Sequence, residues 1–167
     1  QYLPRLQITD DAVPDDYTHL YLKSYYDDSG YHQDYILYAK EGSLHPLSYW
    51  QRLITGEYSP IGLRHVPYSA KEALENWTSF QTMLQDPAYA DRSFRITGDL
   101  IFDEELGYHI FLILDGRDAD FMKNEIAKTY GDFVVFDSET YDEAYFSSQN
   151  ELLNCTYYQT PSTGYTG

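Results

Sequence analysis

The sequence has almost nothing with which to cross-link itself. Cys155 is its single cysteine, so an internal disulfide cannot form and a disulfide-framed small domain is excluded. The Asn-Cys-Thr flank carries no His or basic neighbour to lower the thiol pKa, so Cys155 reads as a packing residue. No apolar run approaches the ~18 residues that a membrane span needs. The chain opens at Gln1, without Met and without a basic segment leading into an apolar one. That leaves the compartment open, with a cytoplasmic setting slightly favoured and secretion allowed.

Positive charge is also scarce. There are 11 Lys and Arg against 27 Asp and Glu, a net charge of −16. No Lys or Arg follows Lys128, and residues 96–151 hold 14 acids and 3 bases, a balance of −11. Such a field repels nucleic acid and anionic membranes, so neither is an expected direct partner. It attracts basic protein surfaces.

Catalytic signatures are missing too. The sequence has no GxSxG elbow, no GxxxxGK[ST] loop and no GxGxxG fingerprint. Its five histidines show no HxxxH or HxxEH spacing, and no cofactor is called for. No metal site is expected either. The nearest approach to a hard-cation set is Asp115, Asp118 and Asp120 in DGRDAD, which lacks the loop glycine and terminal Glu of an EF-hand. A strand end followed by an N-capped helix explains the same residues more simply.

What the sequence does have is tyrosine, 19 in all, eight of them in the first 38 residues. Tyrosine suits half-buried strands, and it also suits interfaces, where it offers contact area at low entropic cost. The composition is otherwise that of a globular chain, 43% hydrophobic and 23% charged over 167 residues. No internal sequence repeat is visible.

Periodicity places the elements. Alternation in THLYLKSYY (18–26) predicts a strand, DDSGYHQD a turn and YILYA (35–39) the return strand. A short helix is expected over 45–57, then a connector punctuated by Pro60, Gly62 and Pro67. Ser69 and Glu72 form a capping box opening a helix over 69–85, with Ala70, Ala73, Leu74, Trp77, Phe80 and Leu84 inward. Strands are expected at 94–102 and 108–114 around an acidic turn. The second reads as covered on both faces, and the parity of the first leaves Asp99 on a face that solvent would cover. Asp118 caps a helix to Tyr130, stopped by Gly131, and FVVF (133–136) is a buried strand. Thr140 and Glu143 form a second capping box, opening a helix to about Leu153.

From residue 35 the order is β-α-β-β-α-β. The expected class is therefore α+β, a ferredoxin-like split β-α-β-β-α-β sandwich with helices on one face of an antiparallel sheet. An extra N-terminal strand and a C-terminal helix decorate it. The expected organisation is an irregular arm over 1–16, a single α+β domain over 17–155 and a flexible tail over 156–167.

Function is read from charge and tyrosine. The favoured class is an acidic binding or inhibitory module that docks on a basic protein surface. A nucleic-acid-processing enzyme is the type of partner, met by mimicry of a phosphate array in an anti-restriction, anti-defence or immunity role. The expected binding residues are Asp103, Glu104 and Glu105 at a hairpin tip, Asp137, Glu139 and Asp142 near the second capping box, and Tyr25 and Tyr31 in the N-terminal hairpin. Two other classes fit the sequence. One is a divalent-cation-dependent enzyme with carboxylate chemistry near residues 109–120. The other is a structural or assembly protein of a virion or cell surface, whose N-terminal hairpin adds a strand to a neighbour. The oligomeric state is not set by the sequence.

Overall fold

Tyr17–Asp27 (β1) and Gly30–Lys40 (β2) form an antiparallel hairpin closed by the two-residue turn Asp28-Ser29 in a computed structural model of the protein. The structure describes residues 13–137 and the backbone of 157–160 and 164–166. The helix Leu47–Leu53 (α1) follows, and Gly62–Val66 (β3) then pairs parallel with β2, Ile36 opposite Gly62 and Lys40 opposite Val66. The first sheet thus has the order β1-β2-β3.

The helix Ala70–Met83 (α2) leads to Arg95–Asp103 (β4) and Gly107–Asp115 (β5). A connection of three residues fixes these neighbouring strands as antiparallel, because a parallel return needs a long crossover. The helix Ala119–Tyr130 (α3) supplies such a crossover, and Val134–Phe136 (β6) pairs parallel with β5. Tyr157–Thr160 (β7) pairs with β4 and Gly164–Thr166 (β8) with β7, giving a second sheet of order β6-β5-β4-β7-β8. The architecture is mixed α+β. Among the described residues no helix is long and apolar enough to cross a membrane.

Two compact units divide the chain, residues 1–72 with 104–107, and residues 73–103 with 108–167. Each contains a hairpin, a helix and a strand parallel to the second hairpin strand: β1-β2-α1-β3 in the first, β4-β5-α3-β6 in the second. The chain therefore repeats a ββαβ path without repeating its sequence. A path is set by apolar period and connection length, which many sequences satisfy.

The expected single antiparallel β-α-β-β-α-β sheet differs from this arrangement in its pairings: β2–β3 and β5–β6 are parallel, and the strands divide between two sheets. Pro60, Gly62 and Pro67 give residues 60–67 the look of a connector, yet Gly62–Val66 is β3. Its partner is β2, so β2 lies in a sheet separate from β4, β5 and β6. The stretch read as a flexible tail also contains β7 and β8.

Local expectations fare better. The capping box at α2 forms in both directions: Glu72 N–H donates to Ser69 Oγ and Ser69 N–H to Glu72 Oε1, both at 3.1 Å. Ala73, Trp77, Phe80 and Leu84 make its buried stripe, but Leu74 is 48% exposed because it sits a hundred-degree step beyond Ala73. β5 is buried from Gly107 to Leu114 except at Phe111, as a strand covered on both faces should be. Met122 and Ile126 of α3 are fully buried, and Gly131 ends that helix at φ 55°. In the first unit Leu20, Leu37, Trp50, Ile54 and Val66 are buried, each such side chain contributing roughly 1.5–3 kcal/mol.

Gly107 closes the first unit's inventory. It holds φ 76°, and a Cβ there would lie 2.8 Å from Cβ of Val66. Beside it, the Tyr38 hydroxyl donates to the carbonyl of Glu104 at 2.9 Å.

Candidate functional site

The distal half of the β1–β2 hairpin is the part of the first sheet least covered by its own chain. From Lys23 to Ser29 every residue is exposed, and on the return Tyr31 and Gln33 are exposed as well. Directly opposite residues of an antiparallel pair share a face, and the face alternates along each strand. Tyr25 faces His32 across the ladder, Lys23 faces Asp34 and Asp27 faces Gly30. Tyr26 faces Tyr31 and Ser24 faces Gln33. The ribbon is thus two-sided. One side carries Lys23, Tyr25, Asp27, His32 and Asp34. The other carries Ser24, Tyr26, Tyr31 and Gln33 and no formal charge.

The charged side is tied together. Tyr25 stacks on His32 with ring centroids 5.1 Å apart, and its hydroxyl pKa is raised, first by the hydrogen bond with Asp34. Asp27 Oδ1 accepts from Ser29 N–H at 2.8 Å and from Ser29 Oγ at 2.7 Å. His32 Nε2 lies 2.8 Å from the same oxygen and 2.7 Å from Ser29 Oγ. These bonds hold the Asp27 carboxyl below its usual range, the Ser29 hydroxyl first.

Asp, Ser and His in contact invite comparison with a nucleophilic triad, but the geometry is wrong for one. A triad sets the carboxylate on one ring nitrogen and the serine on the other. Here both meet Nε2. A proton on Nε2 serves Asp27, and that nitrogen then has no lone pair with which to accept from Ser29. The cluster is a turn lock.

On the uncharged side, Tyr26 is 80% exposed and Tyr31 52%, their ring centroids 5.0 Å apart and inclined at 49°. Gln33 Nε2 donates to the Tyr31 hydroxyl at 2.8 Å. The Tyr31 pKa is lowered, first by a hydrogen bond from Ser24 and then by that from Gln33.

The residues picked out by sequence fall in several places. Tyr25 and Tyr31 are exposed but on opposite sides of the ribbon, and Tyr26, missed by the sequence reading, is the one that pairs with Tyr31. Residue parity and a two-residue turn were the signals that could have found it. At the β4–β5 tip Glu104 and Glu105 are exposed and Asp103 is half-buried. Asp137 is half-buried, and its N–H extends the β5–β6 ladder by donating to the Leu112 carbonyl at 2.8 Å. Glu139 and Asp142, with the helix expected there, lie outside the described residues.

The cation candidates are largely committed elsewhere. Asp115 accepts from Arg95 at 3.1 Å and from Gly116 N–H at 2.8 Å. Asp118 does not cap α3 with its side chain; Oδ2 accepts from Ser93 N–H at 2.6 Å. That bond, with Arg117 and Arg92 nearby, keeps its carboxyl below the usual range. Asp120 is exposed. Among the described residues no three His, Cys, Asp or Glu come together as metal ligands would.

Sequence reasoning also misplaced Asp99, which is 1% exposed rather than solvated. A Cβ at Gly98 would run into the Leu112 side chain, so even-numbered residues of β4 and β5 share one face. Thr97, Asp99 and His109, all buried, therefore share the other. Asp99 Oδ1 accepts from Leu100 N–H at 2.9 Å. The apolar neighbours on the even face carried no sign that a further layer covers the odd one.

Comparison with protein-family models, with curated proteins and with solved structures found no match.

Proposed function

We propose that this chain is a protein-binding module that docks on a basic protein surface. The observation that carries this reading is the two-sided exposed ribbon over residues 23–34, rich in tyrosine, on a chain of net charge −16. The negative field draws a cationic surface in, and the tyrosines offer rigid contact area once it arrives. The field equally suits mimicry of nucleic-acid charge before a nuclease or a restriction or defence enzyme, with the hairpin-tip acids Asp103, Glu104 and Glu105 as part of the array.

The test is a titration of the whole chain against a panel of basic nucleases and other basic proteins at rising salt. The expected result is binding that weakens steadily as salt screens the field. Binding that ignores salt overturns the electrostatic reading, and absence of binding at low salt overturns the module itself.

A further inference from the structure

Resting on that reading, we propose that the Tyr26–Tyr31 side of the ribbon recognises arginine side chains on the partner. A guanidinium is planar and weakly hydrated, so it stacks on an aromatic face where an ammonium keeps its water. Within about 6 Å of a tyrosine centroid the ring quadrupole attracts it. Tyr26 and Tyr31 present such faces to solvent at 80% and 52% exposure, inclined at 49° with centroids 5.0 Å apart. At that distance the two rings pack on each other, so a flat cation stacks on an outer face of the pair and not between the rings.

Two further features favour this occupant. The Tyr31 ring is set before the partner arrives: Gln33 Nε2 donates to its hydroxyl, so that side chain has less freedom to lose on binding. Charge is complementary as well. Asp27 and Asp34 lie on the opposite side of the ribbon, so the attraction comes from the field of the whole chain, −16 overall, and not from an acid beside the rings. The protein already holds one of its own arginines this way. The Arg92 guanidinium carbon sits 3.6 Å over the Phe121 ring, with the Asp118 carboxylate 3.7 Å from its nitrogen.

The probes are fluorescein-labelled oligoarginine and oligolysine of equal length, titrated by anisotropy at low salt against the full chain. Oligoarginine is expected to bind several-fold more tightly than oligolysine. Tyr26→Leu with Tyr31→Leu is expected to weaken oligoarginine about tenfold and to erase the preference. Tyr26→Phe with Tyr31→Phe retains both, since the rings remain. Tyr26→Ser alone, at the most exposed of these positions, carries the same test if the double leucine variant misfolds by circular dichroism. Equal affinity for the two peptides, or a preference that survives loss of the rings, overturns the arginine assignment while leaving the basic-surface reading intact. No binding of either peptide overturns both. A dimer in light scattering that the leucine variant turns into a monomer assigns this face to a second copy of the chain and overturns the proposal.

Discussion

Nδ1 of His45 lies 2.7 Å from a carboxylate oxygen of Asp16, joining the residue before β1 to the loop before α1 across 29 positions of sequence. The same oxygen accepts from Ser43 Oγ, and the Asp16 carbonyl accepts from Lys40 N–H at 2.8 Å. His45 in turn stacks on Tyr49, centroids 3.8 Å apart. A partly buried carboxylate with two side-chain donors is a strong local tie. Asp16→Ala is expected to lower stability by about 1–2 kcal/mol in urea unfolding. Asp16→Asn keeps an acceptor and loses less. An alanine variant as stable as the parent would show that the tie contributes nothing.

At the start of α2, Ser69→Ala removes one arm of the reciprocal capping box. The expected cost is about 1 kcal/mol, with Ser69→Asp close to the parent. Hydrogen exchange at Glu72 N–H, which loses its acceptor in the alanine variant, distinguishes a frayed helix start from a global effect. The Lys40–Glu72 pair at 2.7 Å adds little, since both side chains are well exposed at 41% and 38%.

Gly107→Ala meets two obstacles at once, a left-handed backbone at φ 76° and the Val66 side chain. The expected loss is about 1–3 kcal/mol from the backbone alone, with the steric term added. Combining it with Val66→Gly, which removes the Cβ at 2.8 Å together with both methyls, separates the two. The cavity variant should recover the steric part and none of the backbone part, a coupling read from a double-mutant cycle. Strict additivity would mean that Val66 is not what the new methyl strikes.

The ribbon turn should respond to acid with a definite sign. The folded-state pKa of Asp27 is depressed by Ser29 and His32. The stabilisation it gives is therefore present above the ordinary aspartate value, about 4, and is lost as pH falls through the lower folded value. Nuclear magnetic resonance titration of the Asp27 carboxyl should show the low midpoint, and Ser29→Ala should move it back upward. Ribbon amides that stay unchanged through that titration would contradict the turn lock.

How much of this was legible beforehand can be seen residue by residue. The capping box at Ser69, the stripe of Ala73, Trp77, Phe80 and Leu84, the apolar run of β5 and the Gly131 stop are local signals, and each formed where sequence placed it. β3 was hidden because its five residues sit between prolines and gain their reason from β2, a partner distant in sequence. Tyr25 and Tyr31, named from sequence as binding residues, are both exposed, but which tyrosines share a face depends on register, and one residue of parity exchanges Tyr25 for Tyr26.

The sequence alone determined the acidic field, the lack of a cysteine pair, the N-terminal hairpin and most element types, because composition, period and capping act within a few residues. Tertiary structure decided the rest. It divided the strands between two sheets, buried Asp99 and His109, committed Asp115 and Asp118 to arginine and backbone partners, and set Tyr26 against Tyr31. Those outcomes turn on pairings between residues far apart in the chain, which no local pattern encodes.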